Sequence, residues 1–96
     1  MIRSFADKVS ADLFYGELTA RVRRVQEDVR KTALRKLAQL DAAAGLNDLR
    51  VPPGNRLEAL AGKLRGLHSI RVNDQWRVVF RWQADGVHDV CFCDYH

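Results

Sequence analysis

The last three residues, Asp94-Tyr95-His96, set a carboxylate, a phenol and an imidazole side by side. An imidazole exchanges protons near neutral pH, so His96 is a candidate acid or base. A terminal carboxylate directly after it would favour its protonated form. Chain ends are usually frayed and inert. Here an apolar strand pattern runs to within a few residues of the end, which predicts that the end is held at a sheet.

Arginines supply the second chemical group. Arg77 and Arg81 share one face of a strand, and Arg71 is expected to face the same way across a hairpin. Three guanidinium groups on one sheet face can hold a phosphodiester and stabilise a charged transition state. The competing reading is a solubilising sheet face.

Cys91, Cys93, His88 and His96 raise the possibility of zinc. The sequence argues against it. Structural zinc sites favour C-x₂₋₄-C spacing, and strict strand alternation puts both histidines on the face opposite the cysteines. Cysteines at i, i+2 rarely meet disulfide geometry, so both are expected to be small packing residues in a reducing cytoplasm. There is no phosphate-binding Walker loop, no G-x-S-x-G and no H-E-x-x-H.

The elements that must position these groups fall in two halves. Residues 1–47 read mainly helical and residues 55–96 read as strands. Met1–Phe5 alternates weakly and suits a short strand. A brief helix from about Val9 to Tyr15 is stopped by Gly16. The strongest helix spans about Val22 to Ala44, with Val22, Val25, Val29, Ala33, Leu37 and Leu40 at helical spacing and Leu34 beside them. Its other face is charged, a solvated surface or a contact for an acidic partner or RNA, and it includes the favourable i, i+4 pair Glu27 and Lys31. Gly45 is the expected C-cap. Val51-Pro52-Pro53-Gly54-Asn55 ends any regular element and links the halves.

In the second half, Leu57–Ala61 suits an edge strand. Ile70 and Val72 alternate with Arg71, and Trp76, Val78, Phe80 and Trp82 alternate with Arg77, Val79 and Arg81. Val90 and Phe92 alternate with Cys91, Cys93 and Tyr95. Asn73-Asp74 and Asp85-Gly86 mark turns. The reading is α+β: a small, twisted, mainly antiparallel sheet, one face packed on helices and the other basic.

Length and composition agree. The chain has 96 residues, 47% hydrophobic and 29% charged, with net charge +4. That is one small domain, residues 1–96, with a thin core and no room for a large cofactor cleft. All sixteen basic residues except Lys8, Lys31, Lys36 and Lys63 are arginine, which suits bidentate phosphate or carboxylate recognition as well as simple codon bias. No signal peptide or membrane-spanning run is evident, so a cytoplasmic location is expected.

Three stretches together resemble a known family: Val51-Pro52-Pro53-Gly54-Asn55-Arg56-Leu57-Glu58-Ala59-Leu60, Ser69-Ile70-Arg71-Val72-Asn73-Asp74-Gln75-Trp76-Arg77, and Asp94-Tyr95-His96. With Met1-Ile2-Arg3-Ser4-Phe5 they look like the HigB toxins of the RelE/ParE superfamily, over essentially the whole chain. The resemblance implies a RelE-like fold with two N-terminal helices. It implies a ribosome-dependent mRNA endonuclease of a type II toxin–antitoxin system, acting in the ribosomal A site without a metal or other cofactor. Its partners would be the ribosome, mRNA and a HigA-like helix-turn-helix antitoxin, which would carry it to operator DNA.

By the same resemblance His96 is the proton-transfer group, and Asp94 and Tyr95 orient it or the ribose. Arg77 stabilises the phosphorane. Arg71, Arg56, Lys63, Arg65 and Arg81 are the expected RNA contacts. Some family members carry a His and a Lys on the strand before the hairpin; aligned through Leu60 and Gly62, those positions are Glu58 and Ala61 here. Glu58 is thus either a general base or a salt-bridge partner of Arg56 or Arg77. Two alternatives share the fold: a ParE-like inhibitor of DNA gyrase, and a catalytically weak toxin retained as antitoxin partner and operon co-regulator.

Overall fold

The computed structural model describes residues 1–94. The expected roles of Tyr95 and His96 therefore lie outside the described residues. Helix α1 spans Lys8–Tyr15, α2 is the single turn Ala20–Arg23, and α3 spans Glu27–Ala42. Strands β1 (Glu58–Ala59), β2 (His68–Arg71), β3 (Trp76–Gln83) and β4 (Gly86–Asp94) follow. They form one antiparallel four-stranded sheet in the order β1-β2-β3-β4. The α+β reading holds, with α1 and α3 as the two main helices.

Each helix begins and ends for a local reason. Asp7 caps α1 by accepting from the Ser10 amide at 2.9 Å. Gly16 ends it in the left-handed conformation, φ 78°. Thr19 caps α2 through the Val22 amide. The expected continuous helix from Val22 to Ala44 is broken between Arg24 and Gln26. Hydrophobic spacing alone does not register the break. Glu27 and Asp28 suit a fresh N-terminus, where the helix dipole favours negative charge. The Val25 carbonyl at the break accepts from Arg30 Nη1 at 2.6 Å. Gly45 is not the C-cap of α3. Ala43 leaves the helix in an extended conformation, and Gly45 (φ −146°) precedes a 3₁₀ turn at Leu46–Arg50. There the Asp48 carboxylate accepts from the Ala44 and Gly45 amides.

The core lies between α3 and one sheet face. Leu37, Leu40, Leu49, Ile70, Val78, Phe80, Val87 and Val90 are fully buried. Each such side chain contributes about 1.5–3 kcal/mol by leaving water. Trp76 and Trp82 flank this core, half-buried, and Trp76 stacks on Phe92 with ring centroids 4.4 Å apart.

Two irregularities matter for the opposite face. Asp89 has φ 54°, and the β3–β4 register shifts between Val79 and Arg81. This bulge makes Val87 and Val90, three residues apart, both point into the core. It also places His88 opposite Arg81, on the cysteine face, so the strict alternation assumed for this strand fails there. The hairpin loop is Ala84-Asp85, since Gln83 pairs with Gly86.

The N-terminal segment is not a full strand. It makes two isolated parallel bridges to β4, Ile2 with Val87 and Phe5 with Val90. At the bulge the Ser4 hydroxyl accepts the Asp89 amide, and further on the Ser10 hydroxyl accepts the Phe92 amide. The outer edge of β4 is thereby covered by chain rather than left to pair with a neighbour.

Candidate functional site

Register defines the face away from the helices. Glu58 pairs with Ser69, Ser69 with Val79, and Arg71 with Arg77. Arg77 pairs with Cys93, Val79 with Cys91, and Arg81 with His88. Directly opposed residues share a face. Glu58, Ser69, Arg71, Arg77, Arg81, His88, Cys91 and Cys93 therefore lie on one surface, and the expected basic face exists.

Its arginines are not equivalent. Arg71 is bound to Asp74 in the β2–β3 turn. Arg81 is bound to Asp89 at 3.4 Å, across the bulge. Arg77 is held by neutral acceptors as well as by its other contacts. Its Nε donates to Ser69 Oγ at 2.9 Å and its Nη2 to the Arg56 carbonyl at 2.8 Å. Neutral acceptors orient a guanidinium without cancelling its charge. Ser69 is fully buried, so one of those acceptors is rigidly placed.

Arg56 enters this arrangement through its backbone. It occupies the left-handed region at φ 46°, and its side chain is exposed. Lys63 and Arg65 are exposed on and just after the 3₁₀ turn Gly62–Leu64. The end of this loop passes over Arg81, since a Cβ on Gly66 would stand 3.0 Å from Arg81 Nη1. Arg56, Lys63 and Arg65 make no ion pair among the described residues. The backbone that carries them reaches Arg77 at the Arg56 carbonyl and Arg81 at Gly66.

Glu58 lies on the Arg77 face, exposed at the sheet edge. It forms no ion pair among the described residues, so the expected salt bridge does not account for it. Asp94 pairs with Trp76, one register position from the Arg77–Cys93 pair and so on the alternate face. Its Oδ2 accepts from Gln75 Nε2 at 3.0 Å. The structure thus gathers Arg77, Arg71, Arg81 and Glu58 on one surface, and the register puts Asp94 on the other.

The cysteines depart from expectation. Cys91 and Cys93 lie side by side on β4 with Cα atoms 5.6 Å apart and are joined as a disulfide. Consecutive same-face positions on a strand bring such a pair within reach, which the sequence argument discounted. No group of three or more His, Cys, Asp or Glu side chains that could hold a metal occurs among the described residues. Among them, too, no helix is long and apolar enough to cross a membrane.

The sequence reading missed Ser69 and the Arg56 carbonyl as parts of the site. Ser69 was detectable in principle, because it alternates with Ile70 on the same strand face as Arg71. The carbonyl had no signal, since it depends on a backbone turn.

Residues 3–96 match the family of RelE-like toxins of type II toxin–antitoxin systems, HigB. The chain belongs to this HigB-like family. It is 45% identical to Toxin HigB-1 of Vibrio cholerae serotype O1 over 96 residues, all of this chain and 98% of that protein. A Haemophilus influenzae protein is 36% identical over 67 residues, covering 70% of this chain and 66% of its own length. Two Staphylococcus aureus structures, both complexes of YoeB with YefM, contain chains of the same fold. Their TM-scores are 0.64 and 0.60 at 17% and 18% identity, and each comparison covers all of this chain and 98% of the other. The HigB-like fold is thus a RelE-like one, with its basic face on the side of the sheet away from the helices.

Proposed function

We propose that this HigB-like toxin cleaves mRNA on the ribosome as a single domain. The observation that carries this reading is the guanidinium of Arg77, oriented by Ser69 Oγ and the Arg56 carbonyl on a basic sheet face. In the reaction the ribose 2′-OH attacks the adjacent phosphorus, and the P–O5′ bond breaks. The products are a 2′,3′-cyclic phosphate and a 5′-OH. One proton leaves the 2′-oxygen and one reaches the departing 5′-oxygen, so the site needs a base and an acid. His96 serves as a proton-transfer group, with Asp94 and Tyr95 orienting it or the ribose. Glu58, exposed on the Arg77 face and unpaired among the described residues, is the second candidate base.

Arg77 stabilises the extra charge on the phosphorane. Arg56, Lys63 and Arg65 grip the RNA backbone. Arg71 and Arg81 contribute positive potential from within their ion pairs with Asp74 and Asp89. The protein works in the cytoplasm, in the ribosomal A site. A HigA-like helix-turn-helix antitoxin neutralises it and brings it to operator DNA.

The test is purified protein added to mRNA-programmed ribosomes, with the 3′ ends mapped. Wild type should yield cyclic-phosphate ends. His96→Ala and Arg77→Ala should lose about 100-fold or more, the usual scale for a proton-transfer or charge-stabilising group. Cleavage that survives both substitutions would overturn these roles.

A further inference from the structure

Arg77 is oriented in part by the carbonyl of a residue in an unusual conformation, and that residue follows a buried polar knot. Asn55 is completely buried at the end of the 3₁₀ turn Pro53–Asn55. Its Nδ2 donates to the Leu49 carbonyl at 3.1 Å, the Val51 carbonyl at 3.4 Å and Gln39 Oε1 at 3.0 Å. Its Oδ1 accepts from Lys36 Nζ at 2.5 Å. Gln39 Nε2 in turn donates to the Val51 carbonyl. Lys36 and Gln39 both stand on α3, the helix that packs against the core face of the sheet. One buried amide therefore fastens the proline-rich link to the rigid helix.

The next residue is Arg56, with φ 46° and ψ 54°, and its carbonyl is the acceptor for Arg77 Nη2. A non-glycine residue keeps a left-handed conformation only where its surroundings enforce it. The knot at Asn55 and the bond from the Arg56 amide to the Pro53 carbonyl, 3.1 Å, supply that enforcement. From α3 to the guanidinium the contacts are continuous: Lys36 and Gln39 to Asn55, Asn55 to the Arg56 turn, Arg56 to Arg77.

We propose that Asn55 is a positioning residue for cleavage, holding the Arg56 carbonyl, and through it the Arg77 guanidinium, in register with the scissile phosphate. The inference rests on the reading of Arg77 as the phosphorane-stabilising group. Asn55 touches no substrate. Its effect falls on the chemical step, because a misplaced guanidinium still attracts RNA but no longer matches the transition state.

The test is single-turnover cleavage on mRNA-programmed ribosomes with Asn55→Ala, Arg77→Ala and the double variant. Folding is checked by thermal unfolding. Asn55→Ala should lower kcat by about 10- to 100-fold, the scale of a loss of alignment, with KM for the programmed ribosome changed by no more than about 2-fold. In the Arg77→Ala background, Asn55→Ala should add nothing, since both act through one group. A general structural defect gives losses that multiply, and that result overturns the proposal. So does wild-type kcat in Asn55→Ala when Arg77→Ala is inactive. Wild-type cleavage in Arg77→Ala sinks the underlying reading of Arg77, and the inference with it. If Asn55→Ala does not fold at the assay temperature, Gln39→Leu decides by the same readings. It removes one acceptor from Asn55 and one tether on Val51, and should cost several-fold in kcat at unchanged KM.

Discussion

The strand that leads to Asp94 is held on its outer side by a helix serine, and removing that hydroxyl has a calculable cost. Ser10 on α1 is fully buried, and its Oγ accepts the Phe92 amide at 2.8 Å. Ser10→Ala leaves that N–H without an acceptor in a place that water does not reach. An unsatisfied buried donor costs about 1–3 kcal/mol. In a domain of this size each kcal/mol lowers Tm by about 4–8 °C, so a fall of about 4–24 °C is expected. Against a total stability of about 5–15 kcal/mol, this is a substantial fraction. Ser4→Ala is the matched control. The Ser4 hydroxyl accepts the Asp89 amide at 2.9 Å on the same strand edge, but at an exposed position. Water can replace it there, so its loss should cost less than about 1 kcal/mol. Urea and thermal unfolding give both values, and hydrogen exchange reads the Phe92 amide directly. Equal costs for the two variants, or an undiminished protection of Phe92 in Ser10→Ala, would refute the reasoning. Phe92 lies two residues before Asp94, so the same variant should also loosen the strand end that carries Asp94.

Two further outcomes follow from local geometry. A hydrogen bond with His88, assisted by the Coulombic pull of His88 and Arg3, holds the Asp85 carboxyl below its usual range. Its contribution to stability is therefore present above pH about 4 and lost as pH falls through the lowered folded-state value. The Tm gap between wild type and Asp85→Asn should narrow from pH about 6 to pH about 3, and a gap independent of pH would contradict this. Gly86 has φ 140°, and a Cβ there would stand 2.6 Å from the Met1 carbonyl, which accepts the Val87 amide. Gly86→Ala should cost about 1–3 kcal/mol in thermal unfolding, while Gly54→Ala, in open space, should be close to neutral; similar values for the two would count against it.

Most of the layered fold was legible in the residues. Period-two alternation at Ile70/Val72 and at Trp76/Val78/Phe80/Trp82 located the core face and put Arg71, Arg77 and Arg81 on the other. Gly16 marked the end of α1, and the three motif stretches indicated the family. Two of the misreadings share one cause. Hydrophobic spacing continues smoothly through Val22, Val25 and Val29, so it could not report a break that caps and charges decide at Thr19 and Glu27. Alternation also assumes an unbroken strand, and the bulge at Asp89 moved His88 to the cysteine face.

The sequence by itself determined the core face of the sheet and put Arg71, Arg77 and Arg81 on the other, because side-chain type and periodicity are local properties. Tertiary structure alone decided what each arginine meets. Arg71, Arg77 and Arg81 are alike in the sequence, but the β2–β3 turn pairs the first with Asp74 and the bulge pairs the third with Asp89. Arg77 instead meets Ser69 across the hairpin and a carbonyl twenty-one residues away in the chain. Contacts of that span depend on how the link after α3 is fastened to the helix, and no window of neighbouring residues records it.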